Sequence, residues 1–226
     1  MTTDLIVELV KNGNSSGDSI IKTLNKNYGI SEPSIKSTIT RLVQSEKLVR
    51  VGRGEYAVVP DKKQIFQVAV GEQEKDIFSL ISSMFPFAKL CVYNGKTLSP
   101  LQHHLSVNNI TYVEVSKEAV ESVFECIKRR GYQVYLSPNL EFINRYVDMT
   151  SNSVIVKPLI TEAPVETVDG VCVPKLEKLL IDIRCDDDYE YLRGLETDNM
   201  LLVAKSLYVI NSSKMRRYGK RRGINL

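Results

Sequence analysis

The sequence predicts a mixed α/β protein, in which a small helical domain with a terminal hairpin precedes a larger α/β domain that ends in helices. Three helix-like segments and two strand-like runs fill the first 60 residues, and strand-like and helix-like segments alternate from residue 64 to about 160. The polar stretch Pro60-Asp61-Lys62-Lys63 lies between these patterns. We therefore predict a domain over residues 1–60 and a second over residues 64–226.

The first 45 residues predict three short helices, each with apolar residues at helical spacing along one face. The first covers residues 4–11, and the turn formers of residues 12–17 end it. The second begins at Gly17 or Asp18 and stops at Gly29. The third begins near Ser31, a residue type favoured at the N-cap, and has Pro33 in its first turn.

Two strand-like runs, residues 48–51 and 55–59, follow the third helix. The turn Gly52-Arg53-Gly54 joins them, and glycine at its ends tolerates positive φ. Three helices and a basic hairpin in this order predict a winged helix-turn-helix, with residues 31–45 for the major groove and Arg53 on the wing. The same fold in a protein-interaction module, with a merely solvated polar face, is an open alternative.

The outward face of the third helix carries side chains that can hydrogen-bond base edges or phosphates. Thr38 is also expected on this face. From the start of the helix to Glu46, Glu32 is the only acidic residue. The predicted DNA contacts of this domain, with those of the hairpin, are Ser34, Lys36, Ser37, Thr40, Arg41, Gln44, Arg50 and Arg53.

The second domain reads as strands interleaved with helices, which favours a mixed or parallel sheet. The predicted helices cover residues 72–84, 100–105, 117–130, 140–147, a segment opened by Pro174, 188–207 and 211–221. The predicted strands cover residues 87–93, 109–115, 132–136, 153–160 and 171–173.

No motif for catalysis or metal binding is present. Glu114 is followed by Lys117, one residue too far for the Glu-x-Lys arrangement of metal-dependent nucleases, and nucleotide-binding and nucleophile motifs are absent. We therefore expect no enzyme, no catalytic residue, no metal and no cofactor, with a DNA-targeted enzyme as the remote alternative.

Three groups of potential ligands receive structural interpretations. Asp186-Asp187-Asp188 lacks EF-hand spacing, so we expect an exposed acidic loop in which Asp187 or Asp188 caps the next helix. His103 and His104 are adjacent on a predicted helix, point about 100° apart and are expected to be structural. The four cysteines lack CxxC spacing, which favours buried thiols over disulfides or a zinc site.

The formal net charge of +3 conceals an uneven distribution along the chain. Lys and Arg number ten against seven Asp and Glu in residues 1–63, and fourteen against twenty in residues 64–213. Residues 214–226 have six cations and no acid, and Tyr218 lies among the cations. Such a segment favours phosphate contact, here through Lys214, Arg216, Arg217, Lys220, Arg221 and Arg222.

Pairing of this basic segment with the acidic residues 186–198 is an alternative. A membrane-surface role is disfavoured because the segment lacks an apolar face. No apolar run approaches the roughly 18 residues of a spanning helix, and residues 1–4 do not begin a signal peptide. The expected location is therefore the cytoplasm, with no membrane partner.

The chain resembles the antitoxins of AbiE-type abortive-infection systems, the type IV toxin-antitoxin systems. The resemblance rests on the predicted winged helix, Lys89-Leu90-Cys91-Val92-Tyr93-Asn94, Leu98-Ser99-Pro100 with His103-His104, the 174–182 segment and the basic terminus from Arg216 to Gly223.

The resemblance implies a bacterial transcriptional autoregulator that binds inverted repeats of double-stranded DNA in its own promoter. It also implies functional, and not necessarily physical, antagonism of a nucleotidyltransferase-like toxin. A winged-helix regulator whose second domain binds a ligand or protein partner is the alternative to this function.

Overall fold

The computed structural model describes residues 2–60, 62–102 and 107–224, which fall into two compact units. The first unit comprises the described residues up to Ile65, residues 101–102 and Leu195–Val209, and the second comprises the remainder. The predicted mixture of helices and strands is confirmed. His103 and His104 lie outside the described residues.

The first unit begins with three helices and an antiparallel hairpin, at the positions that the sequence predicts. Gly29 caps the second helix in the left-handed conformation, with φ of 65°, and Ser31 occupies the N-cap of the third without a side-chain hydrogen bond. The elements are α1 (Thr2–Lys11), α2 (Gly17–Tyr28), α3 (Glu32–Gln44), β1 (Leu48–Gly52) and β2 (Glu55–Val58).

The apolar faces of the three helices and the hairpin form one core. Ile6, Ile20, Leu24 and Ile35 are fully buried there, and burial of each such side chain contributes roughly 1.5–3 kcal/mol. Most polar residues between the apolar positions of α3 consequently face away from this core, and Thr38 is the buried exception.

The hairpin is held to the turn that precedes α2. Leu48 pairs with Val58 and Arg50 with Tyr56, and the turn contains Gly54 at φ of 75°. The Gly54 carbonyl accepts a 2.6 Å hydrogen bond from the Gly17 amide. This contact fixes the hairpin tip against the start of α2.

The second unit is built on a four-stranded mixed sheet. Further elements along the chain are α4 (Glu72–Met84), β3 (Leu90–Asn94), β4 (Thr111–Val115), α5 (Val120–Arg129), β5 (Val134–Leu136), α6 (Leu140–Tyr146), β6 (Val154–Pro158), β7 (Val165–Val168), β8 (Val171–Pro174), α7 (Leu176–Cys185), α8 (Leu195–Leu207) and α9 (Ser212–Arg221).

The strand order of the sheet is β3-β4-β6-β5, with β3 antiparallel to β4 and the other three strands parallel. The carboxyl ends of β4, β6 and β5 therefore lie at one edge. In this register Tyr93 pairs with Tyr112, and Glu114 pairs with Lys157. The hairpin β7-β8 packs against β3.

Several element boundaries differ from the sequence predictions. The strand predicted at 87–93 begins at Leu90, and Phe87 is fully exposed. A 3-10 turn, Lys117–Ala119, forms the start of the helix predicted at 117–130. A 3-10 helix covers Gly95–Leu101, so the helix predicted at 100–105 begins earlier than expected. Residues 103–105 of that prediction lie outside the described residues. Pro174 ends β8 and does not open α7.

Helix α8 belongs to the first unit, although the sequence placed it in the second domain. The Gln64 amide donates to the Leu207 carbonyl at 2.9 Å, and the Val209 amide donates to the Gln64 carbonyl at 2.8 Å. Helix α8 also packs against β1. Local sequence patterns do not report such long-range pairing, which explains the difference.

Within the described residues, no helix has both the length and the apolar character that crossing a bilayer requires.

Candidate functional site

The predicted groove-reading face of α3 is exposed to solvent. Ser34, Ser37, Arg41 and Gln44 lie at spacings of three, four and three residues, which places them along one side of the helix. Lys36 and Thr40 lie beside them and are also exposed. We call these six residues the α3 face.

One residue of α3, Thr38, differs from the sequence prediction, and Lys36 has an acidic neighbour on the helix. Thr38 is only 3% exposed and donates a 2.8 Å hydrogen bond to the Ser34 carbonyl, so it is not an outward group. Its hydroxyl also accepts from Arg41 at 3.3 Å, which orients that guanidinium. Lys36 forms a 2.6 Å ion pair with Glu32, and this hydrogen-bonded carboxylate raises the pKa of Lys36.

The two hairpin arginines differ in setting. Arg53 is exposed at the tip of the hairpin between two glycines. Arg50 is also exposed, but its guanidinium lies 5.7 Å from the centroid of the Tyr56 ring and 3.4 Å from its hydroxyl. Arg50 is thus directed along the hairpin by Tyr56.

Helix α9 separates the terminal cations into two groups. Met215 and Tyr218 anchor one face of the helix in the second unit. Lys214 is half-buried, whereas four residues are exposed and form no ion pair among the described residues. These exposed residues, which we call the α9 cations, are Arg216, Arg217, Lys220 and Arg221.

Arg222, which the sequence predicts as a phosphate contact, is mostly buried and ion-paired. Its guanidinium is ion-paired with Asp186, and its Nε lies 3.6 Å from Asp182 Oδ1. Its side chain is 14% exposed. The alternative of pairing with the acidic stretch is therefore confirmed for Arg222, whereas phosphate contact by the exposed α9 cations stays a prediction.

The second unit contains a cluster of buried charges that the sequence analysis did not anticipate. It joins residues of β4, β6, α7, the turn after α7 and the end of α9. We call it the charge cluster, and its members are Glu114, Lys157, Lys178, Asp182, Asp186, Asp188 and Arg222.

Lys178 lies at the deepest point of the charge cluster and is fully buried. Its Nζ lies 2.7 Å from Glu114 Oε1 and 2.5 Å from Asp182 Oδ2, one helical turn further along α7. The Tyr93 ring centroid is 5.4 Å from the same ammonium. An ion in this position requires such partners, because its removal from water costs several kcal/mol.

Lys157 forms the second centre of the charge cluster, closer to solvent. Its Nζ lies 2.5 Å from Asp188 Oδ2, 2.9 Å from Asp186 Oδ2 and 4.0 Å from Glu114 Oε1. The rings of Tyr112 and Tyr189 lie 5.1 and 5.5 Å away. Three carboxylates therefore share one ammonium.

Both buried lysines remain charged. Burial lowers the pKa of Lys157, but the carboxylates of Asp188 and Asp186 outweigh it and hold that pKa well above its ordinary value. At Lys178, Asp182 and Glu114 likewise outweigh the effect of burial and raise the pKa.

The pKa values of the aspartates in the charge cluster shift in opposite directions. Burial raises the pKa of Asp182 and of Asp188. Lys178 beside Asp182 and Lys157 beside Asp188 lower these pKa values but do not fully offset the effect of burial. Burial also opposes ionisation of Asp186, but Lys157 and Arg222 together lower its pKa. Asp186 is consequently the carboxylate best compensated by cations.

Tyrosine hydroxyls complete the hydrogen bonding of the charge cluster. Tyr93 donates to Glu114 Oε1 at 2.9 Å, and its oxygen lies 2.9 Å from the Tyr189 hydroxyl. Tyr218 of α9 donates to Asp182 Oδ1 at 2.8 Å. Burial raises the pKa of Tyr93, Tyr189 and Tyr218, so these phenols stay protonated donors near neutral pH.

An open pocket of about 290 Å³ adjoins the charge cluster. Its wall combines charged groups with apolar groups from the loops after β5 and β6. The lining residues are Glu114, Ser137, Pro138, Lys157, Pro158, Ile160, Asp182, Cys185, Asp186, Asp187, Asp188, Tyr218 and Arg222.

The prediction of an exposed acidic loop at residues 186–188 is wrong. Asp188 is 5% exposed and binds Lys157, while Asp187 is exposed and pairs with Arg193. A 3-10 helix over Asp187–Leu192 follows, and its N-cap is Asp186, whose side chain makes no capping hydrogen bond. The sequence signal for this site was Lys157, a single cation inside an otherwise apolar segment. Lys178 gave no such signal, because Lys175, Glu177 and Asp182 lie close to it in the chain.

The cysteines are free, and only Cys91 is fully buried. Cys126, Cys172 and Cys185 are half-buried, so the prediction of buried thiols holds for one residue of the four. No group of three or more His, Cys, Asp or Glu side chains in the described part of the chain is arranged to hold a metal ion.

Residues 34–225 match the family described as "Family of unknown function (DUF6577)". The chain belongs to this family. The matched segment begins within α3 and includes all of the charge cluster and α9, so these features lie in the part of the chain that defines membership. No curated protein matches the chain.

Proposed function

We propose that this DUF6577 protein is a sequence-specific, DNA-binding transcriptional regulator. The observation that carries the proposal is the α3 face, a line of exposed hydroxyl, amide and cationic side chains on a helix whose opposite face is buried. A hairpin with Arg53 at its tip follows this helix. This is the order of parts in a winged helix-turn-helix.

The dimensions of α3 suit the major groove. Ten residues separate Ser34 from Gln44, which corresponds to about 15 Å along a helix axis, and a B-DNA major groove about 12 Å wide admits one helix. Arg41 is the strongest candidate for a bidentate contact to guanine, because Thr38 already orients its guanidinium. Lys36 is assigned a phosphate contact and no base contact, and its ammonium must leave Glu32 to make that contact.

The α9 cations supply a second phosphate-binding surface in this proposal. Arg216, Arg217 and Lys220 are exposed without carboxylate partners in the described residues, so they lose little when they bind a phosphate. Arg221 must first release Thr161 Oγ1, to which its Nε donates at 2.6 Å. Arg222 is assigned no DNA contact, because its partners are Asp182 and Asp186.

We further propose autorepression of the protein's own promoter and antagonism of a nucleotidyltransferase-like toxin, on the basis of the resemblance to AbiE-type antitoxins. The test has two steps, identification of a nucleotidyltransferase-like gene adjacent to this one and rescue of growth in cells that express it. Rescue by a chain without residues 1–60 would assign the antagonism to the second domain. Failure of the full chain to rescue would refute the antitoxin role and leave DNA binding untouched.

DNA binding is tested by titrating the full-length protein onto its own promoter fragment and onto a scrambled fragment of equal length. We expect Arg41→Ala to weaken binding to the promoter roughly tenfold and to reduce the preference over the scrambled fragment. Arg129→Ala, which removes an exposed arginine from the end of α5, is the matched control. Equal affinities for the two fragments would refute the proposal and favour a protein-interaction module.

A further inference from the structure

Helix α8 of the first unit has apolar side chains on two opposite sides. The side that packs into the unit, against β1, buries Thr197, Met200, Val203 and Ala204. On the other side Leu195 is 84% exposed and Leu202 is 59% exposed. Because a helix of a globular protein normally leaves only its polar side in water, this second apolar side indicates a contact that a single chain does not supply.

The exposed side of α8 has the spacing of a helix–helix contact. Leu195, Asp198, Leu202 and Lys205 follow one another at intervals of three, four and three residues, and all four are exposed. Residues at these intervals share one side of a helix and correspond to the positions that meet a second helix in a coiled coil. We call these four residues the α8 seam.

The apolar surface continues beyond the end of α8. Val209 is 57% exposed, and Ile65 is 77% exposed. The two lie side by side, because Gln64 pairs with Tyr208 in a parallel bridge and accepts a hydrogen bond from the Val209 amide. In the described part of the first unit, Tyr28 is the only exposed large apolar side chain that lies outside this surface and the α8 seam.

The α8 seam is complementary to itself when two copies run antiparallel with Leu202 on the two-fold axis. Asp198 lies four residues before Leu202, and Lys205 lies three residues after it, so Asp198 of each copy faces Lys205 of the other. A two-fold interface makes this contact twice. Leu195 precedes Leu202 by seven residues, and it therefore faces the apolar surface around Val209 of the second copy.

A parallel arrangement does not have this property. It would place Asp198 beside Asp198 and Lys205 beside Lys205, and like charges at such positions repel. The pattern of charge thus selects both the occupant, a second copy of this chain, and its direction.

We propose that the protein forms a two-fold dimer through antiparallel packing of the α8 seam. The contact is one short helix wide, so the dimer is weak, with a Kd on the order of 10–100 µM. This dimer involves no residue of the α3 face and is independent of the proposed DNA binding.

Sedimentation equilibrium of the full-length protein, without DNA, tests the proposal from about 5 to about 300 µM, a range that brackets the expected Kd. We expect the average mass to rise with concentration from that of one chain toward that of two. A protein that stays monomeric throughout would overturn the proposal and leave the α8 seam to a different protein.

Leu202→Lys tests the position of the axis, because it brings two ammonium groups together there. We expect it to weaken dimerisation roughly tenfold or more. Leu136→Lys makes the same change at an exposed leucine of β5 in the second unit, and it should leave dimerisation unchanged. A dimer that Leu202→Lys weakens no more than Leu136→Lys does would also overturn the proposal, because the interface would then lie elsewhere.

Charge exchange tests the antiparallel direction. Asp198→Lys and Lys205→Asp are each expected to weaken dimerisation several-fold, because each places like charges opposite one another. The double variant restores both opposite-charge contacts and should dimerise nearly as well as the wild type. Circular dichroism verifies that each variant retains its helix content. A folded double variant that dimerises no better than either single variant would refute the antiparallel contact.

Discussion

Lys178 Nζ lies 2.7 Å from Glu114 Oε1, although 64 positions separate the two residues and both are buried. The contact joins α7 to the second strand of the mixed sheet. Because both ions are buried, each one depends on partners of opposite charge in the folded protein, Lys178 on Glu114 and Asp182, and Glu114 on Lys178 and Lys157. The pair therefore links the packing of α7 to the buried carboxylate of Glu114 in β4.

Lys178→Met is expected to lower the free energy of unfolding by roughly 3–5 kcal/mol, because it leaves Glu114 and Asp182 without their shared cation. Urea denaturation followed by circular dichroism measures this change. Lys175→Met is the control, since Lys175 is partly exposed and paired with Glu166, and it should cost no more than about 1 kcal/mol. Equal effects would show that the buried pair has no special importance.

Tyr93→Phe is expected to destabilise the protein by about 1–3 kcal/mol, because Glu114 loses a donor and the Tyr189 hydroxyl loses its neighbour. Tyr146→Phe makes the same change at a side chain that is 62% exposed, and it should shift stability by less than about 0.5 kcal/mol. Thermal or urea unfolding of both variants distinguishes the two sites. A Tyr93→Phe protein as stable as the wild type would contradict the assigned hydrogen bonds.

Asp188 and Asp186 are expected to give different pH dependences. The folded pKa of Asp188 is raised, so its protonation is favoured by folding, and wild-type stability should increase relative to Asp188→Asn as pH falls toward about 3.9. The folded pKa of Asp186 is lowered, so the stability that this group contributes is present above about 3.9 and is lost only below it.

Urea unfolding between pH 8 and about 4.5 checks this contrast. The difference between wild type and Asp188→Asn should change across this range, while the difference for Asp186→Asn should stay constant. The reverse pattern would show that the compensation of the two carboxylates is misassigned.

The α9 cations should determine the salt dependence of DNA binding, if DNA binding occurs as proposed. The double variant Arg216→Ala, Arg217→Ala is expected to reduce the slope of log affinity against log salt by up to about 2, since each lost phosphate contact removes about 0.9. Arg129→Ala combined with Arg130→Ala removes the same charge from the end of α5 as the control. An unchanged slope in the first variant would exclude these residues from the interface.

Arg222→Ala is expected to behave differently from these α9 variants, because Arg222 pairs with Asp186 and Asp182. Loss of its charged hydrogen bonds should lower stability by about 1.5–3 kcal/mol. The salt slope of DNA binding should stay at the wild-type value. A reduced slope with unchanged stability would reassign Arg222 to the DNA-contacting group.

Much of the fold was predictable because its elements have strong local signals. Apolar residues at helical spacing located α1 to α3 and α4, and Gly29 and Gly54 adopt the positive φ that marks the ends and turns between them. Short segments were less predictable. The four-residue strand β7 was missed because it is short, although it pairs locally with β8. Helix α8 was placed in the wrong unit because its contacts with Gln64 and β1 join residues far apart in the chain.

The candidate sites divide in the same way. The sequence alone determined most of the exposed polar face of α3, since helical periodicity fixes which residues oppose an apolar stripe, but it wrongly placed the buried Thr38 on that face. Tertiary structure decided which charges are available. It buried Asp188 against Lys157, removed Arg222 from the basic surface and left the α9 cations in solvent. Ion pairing depends on distances across the sheet, and the order of residues along a chain does not specify those distances.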